Sequence, residues 1–230
     1  MGYKILLFDL DDTLLDFEAN ETNSLNKLFQ LNGYTFSDEL FRIYDSVNKR
    51  LWADYETGDL KLAEVLNTRF SKTMNQLGEA VDGIEWEKQY RELLGNGHEF
   101  MDGALELCQS LSKSHRLFIV TNGVTKTQIK RLRLSGLDKF FEDVFTSEVI
   151  GYQKPSKGFF NYIKDNIKDF RAEDSLIIGD SLNTDIKGGI MAGIDTCWLN
   201  TKAKKHSPEI QSTYTITRLE ELYSICAPVK

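Results

Sequence analysis

The sequence predicts an α/β protein built on a doubly wound parallel sheet, with an all-helical segment inserted after the first strand. Three observations carry this expectation. Apolar runs that stop abruptly at polar residues recur at Ile5-Leu6-Leu7-Phe8, Leu117-Phe118-Ile119-Val120 and Leu176-Ile177-Ile178, and unbroken apolar runs of this length suit strands covered on both faces. Segments with helical spacing separate the later runs, so strand and helix alternate over short connections. From Asp16 to about Phe100, by contrast, every apolar stripe has helical spacing. The expected division is an α/β core of residues 1–15 and 101–230 and a helical insert of residues 16–100.

The first strand runs into Asp9-Leu10-Asp11-Asp12. In the insert, Leu25, Leu28 and Phe29 form one stripe, and Leu40, Phe41, Tyr44, Val47, Leu51, Trp52 and Tyr55 a longer one. Leu62, Val65, Leu66 and Phe70 keep helical spacing up to Gly78, and Trp86, Tyr90, Leu93 and Leu94 up to Gly95. Four helices in a small bundle are expected. After Asp102-Gly103 a helix carrying Leu105, Leu107 and Leu111 leads to the second strand, which ends at Thr121-Asn122-Gly123. The alternation continues with a helix around 129–134, a strand near Val144-Phe145, a helix over 159–167 and the strand ending at Gly179-Asp180. A helix near 186–191, strands at Thr196-Cys197-Trp198-Leu199 and Tyr214-Thr215-Ile216, and a helix carrying Leu219, Leu222 and Ile225 close the pattern. Pro155, Pro208 and Pro228 mark loops, and Lys202-Ala203-Lys204-Lys205 reads as a solvated loop.

At 230 residues, with 41% hydrophobic and 27% charged residues, the chain has an ordinary globular composition and can bury a substantial core. A formal net charge of −7 argues against a general binder of nucleic acid polymers or anionic membranes, so an anionic substrate needs local cations. Cys108, Cys197 and Cys226 are odd in number and widely spaced, which suggests neither a disulfide framework nor a zinc site and fits a reducing, cytoplasmic setting. Met1-Gly2-Tyr3-Lys4 leads into too short an apolar stretch for a secretory signal, and no later run approaches membrane-spanning length. His98, His115 and His206 stand isolated and are not read as ligands or bases.

The chemistry concentrates at strand ends. Asp9 and Asp11 follow the first strand directly, where open α/β sheets bind ligands, and their spacing lets both face one side of an extended chain. A solvated acidic turn is the ordinary reading of such a pair, but the apolar lead-in argues against it. Two carboxylates about 4 Å apart repel by roughly 4 kcal/mol at an effective dielectric near 20, so a cation, a shared proton or a basic partner is required. A calcium loop does not fit, because Leu14 and Asn20 occupy the positions where it needs Gly and Glu. Thr121-Asn122-Gly123 offers a hydroxyl and backbone N–H groups at a helix entry, suited to anionic oxygens. Lys154-Pro155 places a cation in a rigid loop, and Asp180 with Asp185 supplies hard oxygen ligands of the kind Mg²⁺ takes.

In that chain order, a DxD pair, a Thr, a Lys and an acidic pair, with a helical insert after the first, resemble the motifs of the haloacid dehalogenase (HAD) superfamily. The insert resembles that superfamily's first type of cap. The resemblance implies a HAD-like core, an aspartyl-phosphate mechanism and Mg²⁺ as cofactor. By it, Asp9 is the nucleophile and Asp11 the general acid and base, Thr121, Asn122, Gly123 and Lys154 bind phosphate, and Asp9, Asp11, Asp180 and Asp185 form the metal site. The densest likeness is to pyrimidine 5′-nucleotidases. It runs from Ile178-Gly179-Asp180-Ser181 through Asp185-Ile186-Lys187-Gly188-Gly189-Ile190 to Ala192-Gly193-Ile194-Asp195-Thr196-Cys197-Trp198-Leu199-Asn200, with Leu51-Trp52, Asp54-Tyr55, Gly58 and Arg69-Phe70 in the cap.

The implied partner is a small phosphomonoester, a nucleoside monophosphate, and neither a nucleic acid polymer nor a membrane. A phosphoglycolate or sugar-phosphate phosphatase and a phosphomutase share the motifs. A signalling receiver domain differs in motif order and has no helical insert. Asp12 stands where many superfamily members have Gly, Asp102 where Pro is common, and Ser156 where Asp often follows Lys-Pro. Of the aromatics able to stack on a base (Phe17, Trp52, Tyr55, Trp86 and Tyr90), only Phe17 is expected to contact substrate; the others have the spacing of core residues.

Overall fold

The computed structural model describes residues 2–227; Pro228 lies outside the described residues. In chain order the elements are β1 (Ile5–Phe8), α1 (Phe17–Leu31), α2 (Asp38–Thr57), α3 (Leu62–Asn75), α4 (Gly83–Leu94), α5 (Ala104–Leu111), β2 (Arg116–Thr121), α6 (Thr125–Ser135), β3 (Asp143–Thr146), α7 (Ser147–Ile150), α8 (Lys157–Asn166), β4 (Ser175–Gly179), α9 (Lys187–Ala192), β5 (Asp195–Leu199), β6 (Tyr214–Ile216) and α10 (Leu222–Ile225). The chain divides into two compact units, Met1–Phe17 with His98–Lys230, and Glu18–Gly97.

The first unit is built on a six-stranded sheet in the order β3-β2-β1-β4-β5-β6, every neighbouring pair parallel. The α/β doubly wound expectation is met. Within the unbroken apolar run of β1 the side chains still alternate. Leu6 and Phe8 join Ile119, Ile178 and Leu199 in a layer with Leu107 and Leu111 of α5, while Ile5 and Leu7 join Phe118, Val120 and Ile177 against Phe159 and Ile163 of α8. Helices cover both faces, which is why the strand carries no polar position. Fully burying a side chain such as Leu7 is worth about 1.5–3 kcal/mol.

Strand order reverses between β1 and β4, and such a switch point opens a crevice at the carboxyl ends of the strands. Phe8 is in register with Ile119 on β2 and Ile178 on β4, and the Asp9 N–H donates to the Ile178 carbonyl at 2.9 Å. The residues that end these three strands therefore emerge at one edge. Just beyond, outgoing and incoming backbone pair: Leu15 faces Phe100 in an antiparallel bridge, with Asp16 N–H to Glu99 O at 2.9 Å and Met101 N–H to Leu14 O at 3.0 Å.

In the second unit Ser37 caps α2 by accepting from the Leu40 N–H at 3.2 Å, and Gly58, in the left-handed region at φ 88°, ends it. Leu25, Leu28, Phe29, Tyr44, Val47, Leu51, Tyr55, Val65, Phe70, Trp86, Tyr90 and Leu94 are buried, whereas Phe41, Trp52, Leu62, Leu66 and Leu93 are only partly so. The interior also holds charge. Arg69, 2% exposed, grips Glu87 with Nε and Nη2, both at 2.7 Å, and lies 4.6 Å from the centroid of the Tyr90 ring. Glu21 accepts from the Tyr44 and Tyr90 hydroxyls and from Asn48 Nδ2 at 3.2–3.3 Å. Apolar spacing alone does not reveal this polar centre.

Three local departures matter for the site. The turn before α9 is π-helical over Leu182–Ile186, so that helix begins at Lys187. Residues Leu219–Glu221 form a 3₁₀ turn ahead of the short α10. In α6 the inward face is mostly polar: Thr127, Gln128 and Arg131 are buried beside Leu132, while Ile129 is half-buried and Leu134 is 49% exposed.

Candidate active site

Asp9 is 7% exposed at the end of β1. Its Oδ1 accepts from Lys154 Nζ at 2.7 Å and its Oδ2 from the Thr13 hydroxyl at 3.2 Å. Lys154 commits all three ammonium protons, to Asp9, to Asp185 Oδ1 at 2.6 Å and to the Val120 carbonyl at 2.7 Å. It thus neutralises two buried carboxylates rather than presenting a free cation. Burial opposes its charge, but Asp185 and Asp9 more than offset that and hold it protonated. Asn122 fixes the lysine backbone on both sides, accepting from Lys154 N–H at 2.8 Å and donating to its carbonyl at 3.0 Å.

Asp185 reaches the same point from the π-helical turn, its Oδ2 accepting from the Ser181 N–H at 3.2 Å. Its side chain lies across the end of β4, where a Cβ on Gly179 would sit 2.2 Å from Oδ2; only glycine fits there. Asp180 completes the group. Carboxylate oxygens of Asp9, Asp180 and Asp185 all lie within 4.8 Å of one another. Asp180 accepts from Lys204 Nζ at 3.0 Å, and its carbonyl from Trp198 Nε1 at 2.9 Å. Lys202 faces Asp12 at 3.5 Å, so the basic run read as a solvated loop brings two cations to site acids. Asn200 clasps the backbone of Lys204 much as Asn122 clasps that of Lys154.

The acids outnumber the cations buried with them. Burial first, with Asp185, Asp11 and Asp180 adding and Lys154 opposing, raises Asp9 well above the usual carboxylate range. Burial and Asp185 push Asp180 up to about 6. Three hard oxygen donors short of positive charge suit Mg²⁺, which favours carboxylates together with phosphate and water.

The Asp11 carboxylate is not part of that group. Arg131 Nη1 donates to its Oδ1, and Gln128 Nε2 to its Oδ2 at 2.7 Å. Gln128 Nε2 also reaches Thr121 Oγ1 at 3.0 Å, which accepts from the Gly123 N–H at 3.0 Å as well. With two donors aimed at its oxygen, the Thr121 hydroxyl keeps its own proton for another acceptor. The backbone N–H groups of Leu10, Asp11 and Asn122 donate to no other group among the described residues. Following directly on Asp9 and Thr121 in the chain, they are donors of the kind that bind an oxyanion.

Phe17 is half-buried, its ring 5.6 Å from the Arg131 guanidinium and its N–H donating to Asp12 Oδ1 at 3.0 Å. Asp12 adopts φ 55°, a left-handed conformation that explains why glycine is at home at this position. Trp86, Tyr90 and Tyr55 are buried within the helical unit, as their spacing implies. Sequence reading overlooked Thr13, Gln128, Arg131, Asn200 and Lys204. The one available signal was polar residues at i and i+3 on the face of α6 that an amphipathic helix buries.

A parallel sheet in this order, with acids from β1 and β4 meeting at its switch point, defines a class of α/β hydrolase. The chain belongs to the haloacid dehalogenase-like hydrolase family, whose model matches residues 3–193. It is 49% identical to YfnB of Bacillus subtilis (strain 168) over 97% of this chain and 95% of that protein. It is 39% identical to the pyrimidine 5′-nucleotidase PynA of Streptococcus pneumoniae (96% and 94% covered) and 31% identical to the pyrimidine 5′-nucleotidase YjjG of Escherichia coli (96% and 97% covered). The crystal structure of YfnB bound to magnesium superposes with a TM-score of 0.94 at 48% identity, over 99% of this chain and 100% of that one. No helix among the described residues is long and apolar enough to cross a membrane.

Proposed function

We propose that this hydrolase cleaves small phosphomonoesters, pyrimidine nucleoside 5′-monophosphates foremost, through a phosphoaspartate on Asp9. The observation that carries the reading is the convergence on Asp9 of Asp180 and Asp185, from the end of β4 and the turn after it, and of Lys154, from the loop between α7 and α8. The likeness to PynA and YjjG supports the choice of ester.

In the first step an oxygen of Asp9 attacks phosphorus, the bond to the ester oxygen breaks, and Asp11 hands that oxygen a proton. In the second, Asp11 takes a proton from water, whose oxygen attacks phosphorus and frees Asp9 and inorganic phosphate. Asp9, Asp180 and Asp185 would hold Mg²⁺, with Asp11 beside them; when bound, the ion supplies positive charge for the transferring phosphoryl oxygens. Thr121 donates its hydroxyl proton to phosphate, and the N–H groups of Leu10, Asp11 and Asn122 add preorganised donors. Gly123 keeps the Thr121 hydroxyl oriented. Lys154 acts through charge, holding Asp9 in line and offsetting Asp185. Phe17, whose ring lies against the Arg131 guanidinium, is the proposed contact to the leaving group.

Phosphate release is the test, measured across uridine, deoxyuridine and thymidine monophosphates, purine nucleotides, phosphoglycolate and sugar phosphates, with and without Mg²⁺. The expected result is fastest turnover of pyrimidine nucleotides, lost on chelation. Sugar phosphates turned over far faster than every nucleotide would overturn the substrate assignment.

A further inference from the structure

We propose that Gln128 and Arg131 are positioning residues for proton transfer, holding Asp11 apart from the metal-ligand acids and aimed at the ester oxygen. This rests on Asp11 being the acid and base.

Four observations carry it. Both Asp11 oxygens are engaged by α6, one by each residue. The two holders are linked, Arg131 Nη1 donating to Gln128 Oε1 at 3.1 Å. That bond also fixes the amide, whose Nε2 then serves Asp11 and Thr121 together. The guanidinium side chain is fully buried against the Phe17 ring. An ion pair whose cation is fully buried and whose acid is 29% exposed is a poor device for stability alone, since apolar burial of the same volume serves as well. Its value here is directional.

The need for such a hold follows from the site's charge. Asp11 is two residues from Asp9, whose neighbourhood is designed to attract cations. A carboxylate left free there would turn toward the same cations and become another ligand. It could then no longer exchange a proton with the ester oxygen. Arg131 supplies a competing charge on the far side, and Gln128 ties the acid to Thr121, so the proton donor and the phosphate-facing hydroxyl keep one spacing.

The test uses two esters whose leaving groups differ in their need for a proton: uridine 5′-monophosphate, a poor leaving group, and p-nitrophenyl phosphate, whose phenolate leaves unprotonated. Gln128→Met and Arg131→Met proteins are compared with wild type and with Arg131→Lys in saturating Mg²⁺. For the nucleotide, kcat should fall roughly tenfold to a hundredfold with KM within about threefold. For the aryl ester, a rapid burst of nitrophenolate equal to the enzyme should precede slow turnover, because the first step no longer needs Asp11 and the second still does. Arg131→Lys should recover part of the loss. The burst counts working sites, so a folding defect in one variant cannot imitate the pattern, and Gln128→Met, nearly isosteric, offers an independent route.

Unchanged kcat on the nucleotide, a loss confined to KM, or equal losses in burst rate and nucleotide turnover would overturn the inference. If Asp11→Asn itself leaves nucleotide turnover intact, the acid-base reading fails; if it abolishes turnover while both methionine variants are normal, only the positioning role fails.

Discussion

Asp180 sits on the rim of the acidic group, its side chain 22% exposed, and its displacement from the ordinary value of 3.8 to about 6 has two measurable consequences. A carboxyl whose folded value is raised keeps its proton in the folded protein after the unfolded chain has lost it. In protein stripped of divalent ions, stability therefore falls as pH rises from about 4 to about 6, by roughly 3 kcal/mol from this group. Asp9, raised chiefly by burial, acts in the same direction. Added Mg²⁺ should reverse the fall. Its affinity should rise through the same window, because protons compete for the ligand, and be about tenfold weaker at pH 5 than above pH 7. Calorimetric titration at both values checks this; an affinity indifferent to pH would show that Asp180 is not a ligand.

The elements decide how these residues meet. The end of β4 and the π-helical turn after it interlock: the turn folds Asp185 back over Gly179, where a Cβ would strike the carboxylate. Gly179→Ala should therefore displace Asp185, cost about 1–3 kcal/mol of stability as overpacking does, and weaken Mg²⁺ binding. Thermal melts and metal titration of the variant would contradict this if both matched wild type.

The strands were legible in the sequence because burial on both faces leaves a signature that survives without context, as in Ile5-Leu6-Leu7-Phe8. The acids at their ends were legible because chain order and strand position agree. The inner face of α6 was not, since Gln128 and Arg131 are buried by their partners rather than by their own chemistry. Lys204 was hidden for a related reason: it comes to Asp180 through the Asn200 clasp, which no spacing rule anticipates.

At the scale of the whole molecule, charge is buried in both units, to different ends. In the core unit the excess of acid calls for a cation. In the helical unit Arg69 and Arg91 both answer Glu87, and Arg69 offsets Glu21, a carboxyl raised chiefly by burial, so cations match acids there. Arg69→Met should leave Glu21 without its cation and Glu87 with Arg91 alone, and cost about 3–5 kcal/mol. Urea unfolding followed by circular dichroism measures it, and a loss below about 1 kcal/mol would mean the network contributes little.

The central claim is that Asp9 becomes phosphorylated. Asp11→Asn protein mixed with p-nitrophenyl phosphate and Mg²⁺, then quenched in acid, should carry one phosphoryl group that maps by mass spectrometry to the peptide containing Asp9. Borohydride treatment of the quenched protein should convert that residue to homoserine. Nitrophenolate released in an amount equal to the enzyme, with Asp9 unmodified in every quenched sample, would contradict it.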